Sequence, residues 1–498
     1  MSTQSLILTI DEGTTSTRVI AFDQTFSPVA EAQNAVPLQY PDDGWVEQDG
    51  EDLWARTLEA CRSVIAAVGG AERIAGIGIA NQRETTLLWD RATGSPIAPA
   101  IVWQDRRTAD LCERLRAAGH ERAVQSRTGL LIDPYFSGTK IAWLLDHVPG
   151  ARTRAAAGDL AFGTIDSWLV WKLTGGTVHA TDATNASRTL LYPLSLDAGA
   201  GWDTQMLDTL GVPAAILPEV RTSAGGFGTT DPVLFGKAIP ILSVVGDQQA
   251  ALVGQGCMTA GTAKITYGTG AFLVANTGLD RPQSNHRLLG TVGYTVADGP
   301  AAFALEGSIF NAGTVVQWLR DDLGLIANAA ESEAKAAALD SNAGVYLVPG
   351  FTGLGAPHWD AEARGLISGL TRAARAEHLV RAGLEAAAYQ TRDLMTAFRD
   401  DGAAITLLKV DGGMAANDWL MQFVADICDV PVERPQYMEM TALGAAALAG
   451  MSLGWVSASE WSARETGGRR FSPTMDHDKR TALLEGWQTA LGRAAKPT

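Results

Sequence analysis

Apolar residues arrive in short, strand-length runs punctuated by Gly, Thr and Asp. Leu6-Ile7-Leu8-Thr9-Ile10 leads into a polar turn, Asp11-Glu12-Gly13-Thr14-Thr15-Ser16, and a second apolar run follows over residues 18–22. Two such runs joined by a short Gly/Thr-rich turn predict a β-hairpin. The layout recurs halfway along, where Ala263-Lys264-Ile265-Thr266, the tip Tyr267-Gly268-Thr269-Gly270 and Ala271-Phe272-Leu273-Val274 follow one another. This recurrence predicts two similar halves. A third strand-to-turn signal is Leu407-Leu408-Lys409-Val410 with Asp411-Gly412-Gly413, after which residues 419–427 have helical apolar spacing. Between these markers lie long helical stretches, among them residues 377–398, rich in Ala and Leu. The pattern predicts an α/β protein of two domains, residues 1–252 and 253–498, divided near residues 246–262.

Length and charge narrow the picture. A chain of 498 residues, 46% of them apolar, is too long for one core. A net charge of −16, with no dense Lys/Arg stripe, argues against nucleic acid as a partner. It does not argue against a nucleotide, because backbone N–H groups and a bound metal neutralise phosphate without a basic surface. Cys61, Cys112, Cys257 and Cys428 are far apart, with no CxxC pair and no His cluster at metal-ligand spacing, which predicts reduced, buried thiols. The first residues lack a basic n-region, and Asp11 interrupts their apolar run, so no signal peptide is expected. No apolar run approaches the roughly 18 residues of a membrane span, and the expected location is the cytoplasm.

A triphosphate-binding loop needs small residues, so that amides point inward, and hydroxyls that bond oxygens without bulk. Gly13-Thr14-Thr15-Ser16 supplies both. Taken alone it is as well read as a polar hairpin tip. The second tip, Gly268-Thr269-Gly270, and the Asp411-Gly412-Gly413 turn make three loops of one chemical kind. No Walker GxxxxGK[ST] is present, and no Rossmann GxGxxG opens a helix after a strand, so another nucleotide scaffold is required.

Nearly the whole chain resembles the FGGY carbohydrate kinases. The resemblance rests on Asp11 to Arg18 (DEGTTSTR), Asn81 to Thr86 (NQRETT), residues 101–108 (IVWQDRRT), residues 135–146 (YFSGTKIAWLLD), and residues 163–171 and 181–190. It continues through Gly246 to Leu252 (GDQQAAL), residues 267–272 (YGTGAF), residues 351–360 (FTGLGAPHWD), residues 365–385 and residues 411–417. It implies two duplicated actin-like (ribonuclease H-like) domains around a central cleft. It implies ATP and Mg2+ as cofactors and a small polyol, glycerol, as acceptor. The product would be glycerol 3-phosphate, and the two halves would close on their substrates. The assembly it implies is a homo-oligomer, dimer or tetramer.

By the same resemblance, Asp247 is the general base. Arg83, Glu84, Tyr135 and Gln248 grip the acceptor hydroxyls, while Trp103 and Phe272 cover its carbon chain. Thr14, Thr15, Ser16, Arg18 and Thr269 contact phosphates, and Gly313, Gln317, Gly413 and Asn417 contact ribose and adenine. Asp11 holds Mg2+ through water. Without the resemblance, each residue has a plainer reading: turn caps for Asp11 and Asp247, a surface ion pair for Arg83-Glu84, core contacts for Trp103 and Phe272.

Three departures from the family pattern stand out. Glu12 replaces the usual Gln, which adds a negative charge beside the phosphate loop unless it is paired locally. Gly383 replaces a larger residue on a helix, a matter of packing. Residues 225–239 lack the Gly/Arg pattern that binds fructose bisphosphate in bacterial members, so regulation by that effector is not expected. Competing readings are a kinase for erythritol, xylulose or another polyol, an actin-like ATPase switch without a small acceptor, and a catalytically retired polyol sensor.

Overall fold

The computed structural model describes residues 5–494 apart from 195–200, 297–298, 361 and 466. Leu6–Glu12 and Ser16–Phe22 pair antiparallel, and Pro28–Ala35 continues the meander. Ile74–Asn81 and then Ile241–Gly246 add in parallel on the other side, completing a five-stranded sheet. Parallel neighbours require a crossover, and the helix Gly50–Ala67 provides the first one. Asp49 caps this helix by accepting from the Glu51 and Asp52 amides, and Leu53, Thr57, Cys61 and Val64 fall on its buried stripe.

The second half repeats this plan. Thr262–Tyr267 pairs antiparallel with Ala271–Gly278, which pairs antiparallel with Ala302–Ile309. Leu407–Asp411 joins Thr262–Tyr267 in parallel, and Val432–Arg434 joins Leu407–Asp411 in parallel. Leu289–Tyr294 and Arg469–Phe471 widen the sheet to seven strands. Apart from these two additions, both sheets share one strand order and one set of directions, which is the duplicated actin-like arrangement. The 25-residue helix Ala376–Asp400 covers the second sheet, with Leu394 and Phe398 in its core.

Two helices are traded between the halves. Met440–Ser452, from the second half, lies on the first sheet, where Ser243 Oγ donates to the Ala445 carbonyl at 2.8 Å. Gly78 makes room for it, since a Cβ there would sit 2.7 Å from the Ala445 carbonyl oxygen. Asp247–Gly254, from the first half, packs Leu252 with Val274 and Ala304 of the second sheet. The two helices touch backbone to backbone: a Cβ on Gly444 would fall 1.8 Å from the Ala250 carbonyl oxygen, and one on Gly254 2.0 Å from that of Met440. A further core around Phe136, Ile141, Leu144 and Leu191 carries the loop that holds Tyr135. The four cysteines are buried thiols. Among the described residues, no helix is long and apolar enough to cross a membrane.

Candidate active site

The expected phosphate loops are hairpin tips held by their own backbone. Gly13 N–H donates to the Ser16 carbonyl at 2.9 Å, and Gln48 Nε2 donates to the Thr14 carbonyl at 2.6 Å. Thr15 is exposed, Thr14 and Ser16 half-buried. Arg18 lies on the adjoining strand, ion-paired with Glu439, and donates from Nη2 to Gln33 Oε1 at 3.1 Å. At the second tip Gly268 N–H donates to the Gly270 carbonyl at 2.8 Å, which leaves Thr269 exposed. The helix Gly313–Asp321 starts against this tip: Gly313 N–H donates to the Gly268 carbonyl at 2.9 Å. Only glycine permits that approach, because a Cβ on residue 313 would lie 2.4 Å from the same oxygen. Gln317 is exposed one turn further on.

In the third turn, Gly412 takes a left-handed φ of 88° and packs on the Tyr267 backbone. A Cβ at Gly412 would fall 2.5 Å from the Tyr267 carbonyl oxygen, so only a hydrogen fits there. Gly413 beside it faces open space. Asn417 caps the helix Asp418–Cys428 by accepting from Leu420 N–H at 2.8 Å. Gly383 packs as the sequence implies: a Cβ there would meet Leu319 at 2.8 Å, so the helix bearing Gly313 and Gln317 nests on Ala376–Asp400.

Between the first two tips lie the expected acceptor residues. Asp247 opens the helix Asp247–Gly254 directly after a strand, and its Oδ1 accepts from Gln248 N–H at 2.7 Å and faces Arg83 Nε at 3.2 Å. Trp103 stands edge-on to Tyr135, with ring centroids 5.6 Å apart, and to Phe272, 6.3 Å apart. Trp103 Nε1 also donates to Thr14 Oγ1 at 2.9 Å, which ties this aromatic wall to the phosphate loop. Arg83 and Glu84 are both buried, and they do not pair with each other as surface neighbours would. Arg83 donates to both Glu306 oxygens, at 2.5 and 3.2 Å, while Glu84 accepts from Arg188 Nε at 2.6 Å. Glu84 has φ of 61°, strained for a residue with a side chain, and hydroxyls of Thr86 and Ser137 hold its carbonyl at 3.0 Å.

The electrostatics follow from burial and pairing. Burial opposes ionisation of Glu306, but Arg188 and Arg83 override it and hold its carboxyl down at about 2. Burial raises Glu84 above the usual carboxylate range despite the two arginines. Burial also draws Lys264 below the ordinary lysine range, against the pull of Asp411 and Asp247. Lys264 Nζ donates to Gln248 Oε1 and, at 2.9 Å, to Thr266 Oγ1. The half-buried Asp11 is raised to about 7, first by burial and then by Asp247 and Glu439.

Glu12 does not place a charge beside the phosphate loop. Consecutive strand residues face opposite sides, so Glu12 points away from Asp11 into the core under the helix Gly50–Ala67. It is fully buried, its Oε2 accepts from Thr57 Oγ1 at 2.7 Å, and burial raises it to about 8. A carboxyl kept protonated at neutral pH has the shape and the neutrality of the glutamine that usually stands there.

Sequence reasoning missed Glu306, Arg188 and Lys264, all fully buried around the acceptor residues. Glu306 sits within an apolar strand run that carries no turn or motif signal, and Lys264, in the strand leading to the second tip, reads there as one strand position among others. Arg188 had a weak signal, as a lone cation inside a buried segment.

The chain resembles known proteins along nearly its whole length. The model for the N-terminal domain of the FGGY family of carbohydrate kinases matches residues 6–254, and that for its C-terminal domain matches residues 263–453. A glycerol kinase of Rhodospirillum centenum is 58% identical over 495 residues, covering 99% of each chain. Glycerol kinase 1 of Pseudomonas aeruginosa is 54% identical, covering 98% of each. The crystal structure of Plasmodium falciparum glycerol kinase with ADP superposes with a TM-score of 0.93 at 34% identity, over 99% of both chains. With both domains matched in order and relatives of more than half identity along its length, this chain belongs to the FGGY family of carbohydrate kinases.

Proposed function

We propose that the chain transfers the γ-phosphoryl group of ATP to a terminal hydroxyl of glycerol, giving sn-glycerol 3-phosphate and ADP. The observation that carries this reading is the placement of Asp247: a helix-opening carboxylate 3.2 Å from Arg83, whose charge is felt both by Asp11 at the end of the first hairpin's leading strand and by Lys264 on the leading strand of the second. The glycerol kinases among its relatives support the choice of acceptor.

In this mechanism Asp247 accepts the proton of the attacking hydroxyl. Arg83, Glu84, Tyr135 and Gln248 bond the polyol oxygens, and Trp103 and Phe272 cover its C–H edge. Thr14, Thr15, Ser16 and Thr269 bond phosphate oxygens, and Arg18 exchanges Glu439 for them. Gly313, Gln317, Gly413 and Asn417 border the ribose and adenine. Catalysis is then mostly positioning and neutralisation of charge.

Mg2+ fits the residues present. Asp11 is raised first by burial and then by the charges of Asp247 and Glu439, and a cation at its carboxylate would offset both. Among the described residues no cluster of three or more acidic, His or Cys side chains forms a closed cage. This agrees with an ion that keeps several waters and binds one carboxylate plus phosphates. When bound, the ion supplies charge neutralisation on the phosphates.

The test is ADP release from MgATP with glycerol, erythritol, xylulose or no acceptor. Glycerol should drive turnover, and Asp247→Asn should lower kcat by about 10² to 10⁴. Preference for another polyol would reject the acceptor assignment, and acceptor-independent hydrolysis would favour an ATPase switch.

A further inference from the structure

Five charged groups lie packed at the floor of the acceptor site, and one of them comes from the other half of the chain. Glu306 lies on Ala302–Ile309 of the second sheet, opposite Val274 and Leu289, and is fully buried. Its neighbours Leu305 and Ala304 alternate: Leu305 joins the core of the second half, while Ala304 packs with Leu252 of the traded helix. Period-two alternation puts Glu306 on the side of Ala304, toward the first half. There Oε2 accepts from Arg83 Nη1 at 2.5 Å, and Oε1 accepts from Arg83 Nη2 at 3.2 Å and from Arg188 Nη2 at 3.0 Å.

These contacts fix a planar guanidinium in three directions. Two parallel bonds to one carboxylate set the plane of Arg83. Gln249 Oε1 takes a further Nη1 proton at 3.2 Å, and Nε points to Asp247 Oδ1 at 3.2 Å. Of the five donors an arginine carries, these hydrogen bonds use three, which leaves one Nη2 proton for a ligand besides the Nε–H that faces Asp247. Arg188, whose Nε holds Glu84 at 2.6 Å, is fastened to the same carboxylate. One buried acid therefore sets both members of the Arg83-Glu84 pair, Arg83 directly and Glu84 through Arg188.

We propose that Glu306 is a positioning residue for the acceptor: it fastens the polyol-binding side chains of the first half to the sheet of the second. Without its charge, Arg83 and Arg188 repel each other, and Arg83 turns further onto Asp247. The grip on the acceptor loosens while the hairpin tips that face the nucleotide keep their own backbone bonds. Catalytic contact stays with Arg83, Glu84 and Asp247.

This inference rests on the acceptor reading above, and steady-state kinetics on full-length variants separates the two. Glu306→Gln is expected to raise KM for glycerol at least tenfold and to lower kcat, with KM for MgATP within twofold of wild type. Glu306→Asp keeps the charge but shortens its reach, and should raise KM for glycerol less than Glu306→Gln does. A merely structural role predicts no such split between the two substrates. If KM for glycerol stays within twofold, or both KM values move together, the inference is wrong. Should Glu306→Gln fail to fold, Glu306→Asp decides on the same split. A wild type that turns over no polyol defeats the acceptor reading and this inference with it, whereas an active wild type with an unsplit response defeats this inference alone.

Discussion

Replacing Glu12 by Gln removes a titration that burial has displaced, and the consequence has a definite sign. In the unfolded chain this carboxyl loses its proton near the ordinary value of 4.5, whereas in the folded chain it keeps it to about 8. The folded state therefore binds the extra proton, and the stability tied to it is complete below pH 4.5 and drains away as pH rises to 8. The loss runs at about 1.4 kcal/mol per pH unit, which amounts to roughly 3 kcal/mol at pH 7 and roughly 5 above pH 8. Glutamine has no such slope. Its amide nitrogen, however, would occupy the position of Oε1 or Oε2, and Oε1 has no hydrogen-bond partner among the described residues. That mismatch adds a pH-independent cost of about 1–3 kcal/mol. Glu12→Gln should accordingly be no more stable than wild type at pH 5 and clearly more stable at pH 8. Paired thermal melts at half-unit steps, in EDTA to keep divalent ions from Asp11, read the difference directly. A gap between the two melting temperatures that stays constant from pH 5 to 8 refutes the reasoning, because it would mean that Glu12 is ionised in the folded protein.

Other perturbations follow from single contacts. Trp103→Phe keeps the ring beside Tyr135 and Phe272 but deletes the 2.9 Å bond to Thr14, so kcat/KM for MgATP should fall about fivefold, the equivalent of about 1 kcal/mol; an unchanged value would mean that the wall and the loop are independent. Gly444→Ala sets a Cβ 1.8 Å from a backbone oxygen that no rotamer change can move, so its cost should exceed the usual overpacking range of about 1–3 kcal/mol, read as a large drop in melting temperature. Small-angle scattering should record compaction when glycerol and a non-hydrolysable ATP analogue are added together; an unchanged radius of gyration would count against closure of the halves.

What the sequence made legible is local chemistry. The hairpin tips, the Gly412-Gly413 turn and the helix Ala376–Asp400 are each specified by neighbouring residues, through turn glycines or through helical spacing, and they lie within a few residues of where the pattern put them. The roles proposed for Arg83, Glu84 and Asp247 come from family likeness, and the structure adds that Arg83 faces Asp247 and that Glu306 and Arg188 hold Arg83 and Glu84. Glu306 was invisible because its partner Arg83 is 223 positions away and nothing in Leu305-Glu306-Gly307 marks an acid that faces inward. Glu12 is a different case. Its alternation with Asp11 along one strand already implied opposite faces, and reading the pair as one polar turn concealed it.

The traded helices limit how such a chain can be recombined. The strand face bearing Ile7, Ile20, Phe22 and Val245 is roofed by a segment almost two hundred positions beyond the end of the first domain, with Ala442, Leu443 and Ala446 over it. A chimera that joins the first half of this chain to the second half of a distant relative would inherit a foreign roof, cut for another sheet. The graft that preserves the fit carries Met440–Ser452 along with residues 1–254, although the two are far apart along the chain.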